Sequence, residues 1–382
     1  MAPVTEGNER GHEETVTWNG APIRAWVPHR LAGQDFEVGI RTARRTEQAV
    51  AAIRASGGAS ARFEPLALLL LRAEGVASSY IEGLRTPLVD VAAAEVGDTS
   101  NAIAGWVADN LTAVRYALDE AGRDLTIEDI HEWHRHLMGP TSRLPEEMVG
   151  AFRTAQSWIG GTSPRSASFV PPPPERVEDL MVDLIGFVNA EWVDPVTQAA
   201  VAHAQFETIH PYGDGNGRIG RILIGWILAR RTGITVPPPV SVFIVRDPGG
   251  YLAGLTRFRL GELDPWVEWL ATQLQYSSEA TQRLMVRSEQ LLGDWTRRTD
   301  DLRADATARL VLPVLVEHPV VSSDLIAELV AVSERAARTA LTTLAERGIL
   351  EPYNKGTAQP GRPRRFWVAH ELIAMVTNWS SL

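Results

Sequence analysis

One segment limits the folds open to this chain more than any other: His210-Pro211-Tyr212-Gly213-Asp214-Gly215-Asn216-Gly217-Arg218-Ile219-Gly220-Arg221. Helical patterns flank it, QAAVAHAQFETI before and RIGRILIGWILARR after. Alternate glycines at 213, 215 and 217 break the first helix and let the backbone adopt φ > 0, turning N–H groups inward. Those donors lead into the next helix, whose orphan amides and macrodipole favour an anion. Arg218 and Arg221 lie one turn apart on one face. Asp214 is a carboxylate able to hold Mg²⁺ together with phosphate oxygens. His210 at the entrance is able to accept a proton near neutral pH. A glycine-rich helix connection with a capping histidine would explain any one of these residues. Base, metal ligand, anion nest and paired arginines together suit attack on a phosphate.

The rest of the chain reads as mainly helical. Helices are expected at about Phe36–Ala55, capped by Asp35 and stopped by Gly57-Gly58, then at Pro65–Glu82, Ser100–Ala121 and Thr126–Leu137. They resume at Glu175–Asn189, Pro195–Ile209 and Arg218–Arg231, with one or two more over Gly249–Leu292. Between Gly150 and Pro174, RTAQSWIG and SASFV read as two short strands around a GGTSPR turn, closed by four prolines that forbid helix. Residues 1–35 read as a loosely held arm in which WNGAPIRAWVP lies extended.

Composition removes whole classes of function. The 382 residues include no cysteine, so disulfides and thiolate catalysis are excluded. A formal charge of −10 argues against a surface built wholly for nucleic acid, leaving only a local basic patch. No apolar run approaches the roughly 18–20 residues that span a bilayer, and the start lacks a signal pattern. No membrane partner and a cytoplasmic location are therefore expected.

The His210–Arg221 segment resembles the Fic-family signature HPF-x-[D/E]-G-N-G-R-x-x-R, with Tyr212 where phenylalanine is usual. The Tyr212 hydroxyl then needs a partner. The resemblance implies transfer of AMP from Mg²⁺-ATP to a Ser, Thr or Tyr hydroxyl of a target protein. In that reading His210 is the base and Asp214 binds Mg²⁺. Asn216 and the backbone of Gly215 and Gly217 form an anion hole beside Gly213. Arg218 steadies the phosphates and Arg221 meets the γ-phosphate, while Tyr251 lines the base pocket. Related Doc toxins carry lysine at the Gly217 position and act as kinases, so glycine favours AMP transfer. Gly150–Gly161 looks like the family's flap, where Arg153, Ser157, Trp158 and Ile159 would dock a target strand. Ser78-Ser79-Tyr80-Ile81-Glu82-Gly83 is similar to the family's inhibitory signature [S/T]-x-x-x-E-[G/N]. By that resemblance Ser78, Glu82 and Gly83 form a brake in which Glu82 takes the γ-phosphate place on Arg221. In some members the same glutamate serves AMP removal. Self-modification and a helix-mediated homodimer also follow from the resemblance.

The expected fold is thus a mainly α Fic-type helical bundle with a small β-hairpin flap and a C-terminal winged-helix-like domain. Its parts would be an arm (1–35), a helical region with the inhibitory helix (36–125), a catalytic core (126–295) and the C-terminal domain (301–375). In the last, helices at Ala304–Glu317, Ser323–Val330 and Ser333–Arg347 precede two strands, ILEPY and RRFWV. Arg335 and Arg338 share one helical face, and Lys355, Arg362, Arg364 and Arg365 decorate the wing. DNA binding and protein docking both remain open for it. A DNA-binding regulator whose core senses a nucleotide is the competing function; an intact base favours the enzyme.

Overall fold

The computed structural model describes residues 9–60, 64–139, 144–353 and 365–377, with only the backbone of 58–60, 64 and 65. At its centre is α7 (Pro195–Ile209), every residue of which from Val196 onward is buried. Asp194 caps it, accepting from the Val196 and Thr197 amides, and Pro195 starts it without losing a hydrogen bond. Alanines at 199, 200, 202 and 204 let neighbouring helices come close on all sides.

Around α7 the chain runs in order through β1 (Gly11–Trp18), β2 (Ala21–Pro28), α1 (Ile40–Ser60), α2 (Glu64–Ile81), α3 (Leu88–Glu95), α4 (Ala102–Asp119), α5 (Ile127–Met138) and α6 (Pro174–Asn189). After α7 come α8 (Asn216–Thr232), α9 (Ser241–Ile244), α10 (Pro248–Arg259) and α11 (Leu263–Arg298). Helix α8 packs against α7, and α1 lies along the 36-residue α11. Trp266 of α11 ties the bundle to α7 by donating to the Ala200 carbonyl at 2.8 Å. Among the described residues no helix is long and apolar enough to cross a membrane.

Several elements differ from the sequence reading, each for a local reason. The N-terminal segment is not a loose arm: β1 and β2 pair antiparallel over eight residues each. Asn19 and Gly20 both have positive φ (46° and 74°), as a tight hairpin turn requires. Helix α1 continues through Gly57, where a side chain would collide with Ile234, so this glycine permits close packing and does not stop the helix. The flap has one isolated bridge, Ile159 to Phe169, in place of two strands. Gly160 and Gly161 both turn at positive φ there, and side chains of Arg153 and Gln156 occupy carbonyls that a strand partner would need.

The C-terminal part contains α12 (Thr307–Val311), α13 (Val314–Glu317), β3 (Val320–Ser322), α14 (Ser323–Leu329), α15 (Glu334–Glu346), β4 (Glu351–Tyr353), β5 (Phe366–Val368) and α16 (His370–Thr377). The single helix expected over 304–317 is broken at Pro313 into α12 and α13. An unforeseen strand, β3, makes the sheet order β3-β5-β4. The expected wing residues Lys355, Arg362 and Arg364 lie outside the described residues; Arg365 is exposed. This part rests on α2 and α3. Arg72 pairs with Glu95 at 2.5 Å and donates to the Glu317 carbonyl, and the Tyr353 hydroxyl donates to Asp90 at 2.6 Å.

Candidate active site

Helix α7 ends at His210, held in the left-handed region (φ 50°, ψ 61°), so the chain turns sharply into the glycine loop. Arg153, 4% exposed, fixes that turn from below. Its guanidinium donates to the carbonyls of His210, Ile209, Pro172 and Ala155, and its backbone N–H donates to Pro211. Arg153 thus faces inward and braces the loop, away from the docking surface expected for it. Ser157 and Trp158 are half-buried and Ile159 is exposed along the flap. Burial pushes the His210 imidazole down to about 4, helped by the nearby Arg153 cation and opposed by Glu82. At neutral pH the ring is uncharged and able to take a proton.

Tyr212 is fully buried, its ring stacked on His134 at 4.0 Å and its hydroxyl 2.9 Å from His131 Nδ1. That contact is the partner its hydroxyl required. Asn216 closes the loop: its side-chain oxygen accepts from the Tyr212 N–H at 2.8 Å and its amide donates to the Tyr212 carbonyl at 2.9 Å. Both bonds hold the Asn216 side chain across the loop, at the start of α8. Gly213 packs against Met148, and Gly215 is the left-handed cap from which α8 starts. The first amides of α8 therefore open onto the loop without intrahelical acceptors.

Three side chains line this opening. Asp214 has 66% of its side chain exposed, lies 3.8 Å from Arg218 and accepts from the Gly215 amide. Arg218 is buried, its Nε without any partner, and burial lowers its pKa. Arg221 is deeper: Nε donates to Ser78 Oγ and Nη2 to both the Ser78 carbonyl and Glu82 Oε1, each at 2.8 Å. Burial pushes the Glu82 carboxyl up, but Arg221, with Arg218 and His210, outweighs it and leaves the net pKa below the ordinary value. Gly217 is what lets Glu82 approach, because a Cβ there would lie 2.1 Å from Glu82 Oε1. Gly83 turns the chain away from the end of α2 at φ 82°. Asn110 of α4 holds the end of α2 from behind through Ser79 Oγ at 3.2 Å.

The structure therefore brings together His210, Asp214, Arg218, Arg221, Ser78, Glu82 and Gly217. Tyr251 meets the site only from beneath, through its interaction with Arg221. That ring is 6% exposed, packed among Trp266 and Trp269, with its hydroxyl 2.8 Å from His203 Nε2. Sequence reasoning missed Glu207, a buried carboxyl of α7 with Oε1 unpartnered, which burial pushes up to about 7. The signal was present: His203, Gln205 and Glu207 are polar positions in a helix with no solvent face.

One carboxylate at the mouth is a sparse metal site, and no cluster of three or more His, Asp or Glu ligands exists among the described residues. It is nevertheless the donor set that Mg²⁺ uses with a nucleotide, where waters and phosphates complete the shell.

Residues 124–228 match the family model described as the Fic/DOC family. The chain is 34% identical to protein adenylyltransferase fic-1 of Caenorhabditis briggsae over 163 residues, 42% of this chain and 29% of that protein. It is 32% identical to protein adenylyltransferase Fic of Culex quinquefasciatus over 193 residues, 50% of this chain and 31% of that protein. The match thus spans less than a third of either relative. In fold the chain is similar to a Fic family protein from Desulfovibrio desulfuricans G20, with TM-score 0.53 at 21% identity over 87% of this chain and 97% of that one. It is also similar to residues 134–508 of Fic-1 from C. elegans, with TM-score 0.51 at 25% identity over 64% and 73%.

Proposed function

We propose that this chain, which carries a Fic/DOC family domain at residues 124–228, is a protein adenylyltransferase held inactive by Glu82. The observation that carries the reading is the Glu82 carboxylate seated on Arg221 against Gly217 at the start of α8. A site that binds one anion through a buried guanidinium and helix amides suits another, the terminal phosphate of ATP. Two relatives whose names say protein adenylyltransferase support the same reaction.

In this reading a Ser, Thr or Tyr hydroxyl of the target attacks the α-phosphorus. The new O–P bond forms as the bond to pyrophosphate breaks, and the hydroxyl proton passes to the neutral imidazole of His210. Arg153 keeps that imidazole in register by holding the His210 carbonyl. Arg218, buried with a free Nε, meets charge developing on the phosphoryl oxygens. Asp214 would hold Mg²⁺, which supplies charge neutralisation for the phosphates. Glu82 blocks the γ-phosphate position, and its displacement allows productive binding. The reading also includes AMP removal, with Glu82 orienting water.

The test is incubation of the Glu82→Gly protein with labelled ATP, GTP, CTP and UTP, each with and without EDTA. Label from ATP entering protein only without EDTA is the expected result. Tight ATP binding with no incorporation into any protein would support a nucleotide sensor and overturn the enzyme.

A further inference from the structure

We propose that the groove between the N-terminal hairpin and the flap is a second docking site for the protein substrate and that it takes an acidic segment. The proposal rests on the adenylyltransferase reading, since it names the chemistry of that reaction's target.

The hairpin and the flap form one hydrogen-bonded surface. Ile159 and Phe169 exchange both backbone hydrogen bonds, at 2.8 and 3.2 Å. On the other side of the Phe169 segment the Trp26 N–H of β2 donates to the Val170 carbonyl at 2.9 Å. Trp18, at the end of β1, meets Trp158 edge-on with centroids 5.9 Å apart. A groove of about 680 Å³ opens beside this surface, floored by Ile23, Trp26 and Phe169. Phe169 belongs to both features. The groove thus begins about one strand spacing, roughly 5 Å, from the flap edge at Ile159. A chain docked on that edge has its flanking residues within reach.

The charge of the groove selects the occupant. Arg24 on the rim is already paired with Glu13 at 2.7 Å. Arg165 is exposed, and Arg259 stacks on the Phe169 ring at 4.2 Å and donates to Thr256 Oγ1 at 3.2 Å; neither forms an ion pair among the described residues. Two guanidiniums that form no ion pair among the described residues thus share one groove, in a chain whose net charge is −10. Burial holds the Arg259 pKa down, so a carboxylate arriving there regains electrostatic stabilisation that the free protein lacks. Arginine on an apolar floor with aromatic walls suits Asp or Glu side chains spaced along an extended peptide.

The probes are short fluorescein-labelled peptides with a central threonine flanked by glutamate, by lysine or by glycine and serine. Anisotropy is read with the full-length Glu82→Gly protein at low salt and at about 0.5 M salt. The glutamate peptide is expected to bind most tightly and to weaken about ten-fold with Arg165→Glu or Arg259→Gln, the worth of one charged hydrogen-bonded contact. Arg335→Glu, on the distant α15, is the control and should leave binding unchanged. Equal binding of the glutamate and lysine peptides, or arginine variants that bind as the parent does, overturns the proposal. Labelling of the bound peptide with AMP is scored separately. Selective binding without labelling counts against the adenylyltransferase reading and leaves the groove assignment intact.

Discussion

Arg221 and Glu82 stand 139 positions apart in sequence and meet at 2.8 Å, with the Arg221 side chain 1% exposed and that of Glu82 37% exposed. The asymmetry defines the contact. Arg221 is fixed by Ser78 and the core, whereas Glu82 reaches it from the turn just past α2 with its carboxylate partly exposed. A buried cation whose counter-ion is removable is an anion site with its own occupant.

Transfer should be flat with pH across the neutral range. Burial holds His210 at about 4, so the imidazole remains a base well below its ordinary 6.5. In the Glu82→Gly background the raising influence of Glu82 is gone as well. AMP incorporation measured from pH 8 down to about 5.5 should lose no activity to protonation of the base. An inflection near 6.5 would mean that His210 is solvated in the working enzyme.

Stability should fall as the solution is acidified below about 6.5. His134 and His210 are held at about 4 and His203 at about 3, each by burial. Between 6.5 and those values the unfolded chain binds protons that the native state refuses, so each contributes destabilisation as pH drops. Glu207, pushed up to about 7, has the opposite sign, because the folded carboxyl takes its proton first. Burial also lowers His131 and His318 and raises Glu74, and the five histidines outweigh the two glutamates. Urea midpoints should be lower at pH 5.5 than at pH 7; an unchanged or higher midpoint would contradict the burial of these rings.

Arg153→Ala should lower kcat with little change in the KM for ATP, because it releases the carbonyls of Ile209 and His210 and touches no phosphate ligand. A misplaced reacting group can cost roughly 10²-fold. Arg153→Lys should not restore the rate, since one ammonium cannot span four carbonyls. Restoration by lysine would show that only a positive charge is needed.

The helical core and the components of the site were legible because they rest on local signals. Alternate glycines and an i,i+3 arginine pair each act within one turn or loop. The Glu82–Arg221 contact was legible only through resemblance, for nothing local links α2 to α8. The inward direction of Arg153 and the burial of Tyr251 beneath Arg221 were not legible, because they depend on which side of a distant element is buried. The hairpin was missed although Asn19-Gly20 signals it, because the neighbouring Pro22 and Pro28 drew the reading toward irregular chain. Glu207 was missed because its unusual character depends on the complete burial of α7, which the structure alone displays.

Labelled-AMP incorporation into protein, compared among wild type, Glu82→Gly, Arg221→Ala and Glu82→Gly with His210→Ala, tests the whole account. Wild type should be nearly silent. Glu82→Gly should be faster by on the order of 10²-fold, the gain from placing the α-phosphate correctly. Arg221→Ala should stay weak, since it frees Glu82 and deletes the phosphate partner together. The double variant should lose on the order of 10²–10⁴-fold through removal of the base. Equal incorporation by wild type and Glu82→Gly would contradict the brake, and a double variant as active as Glu82→Gly would contradict His210 as the base.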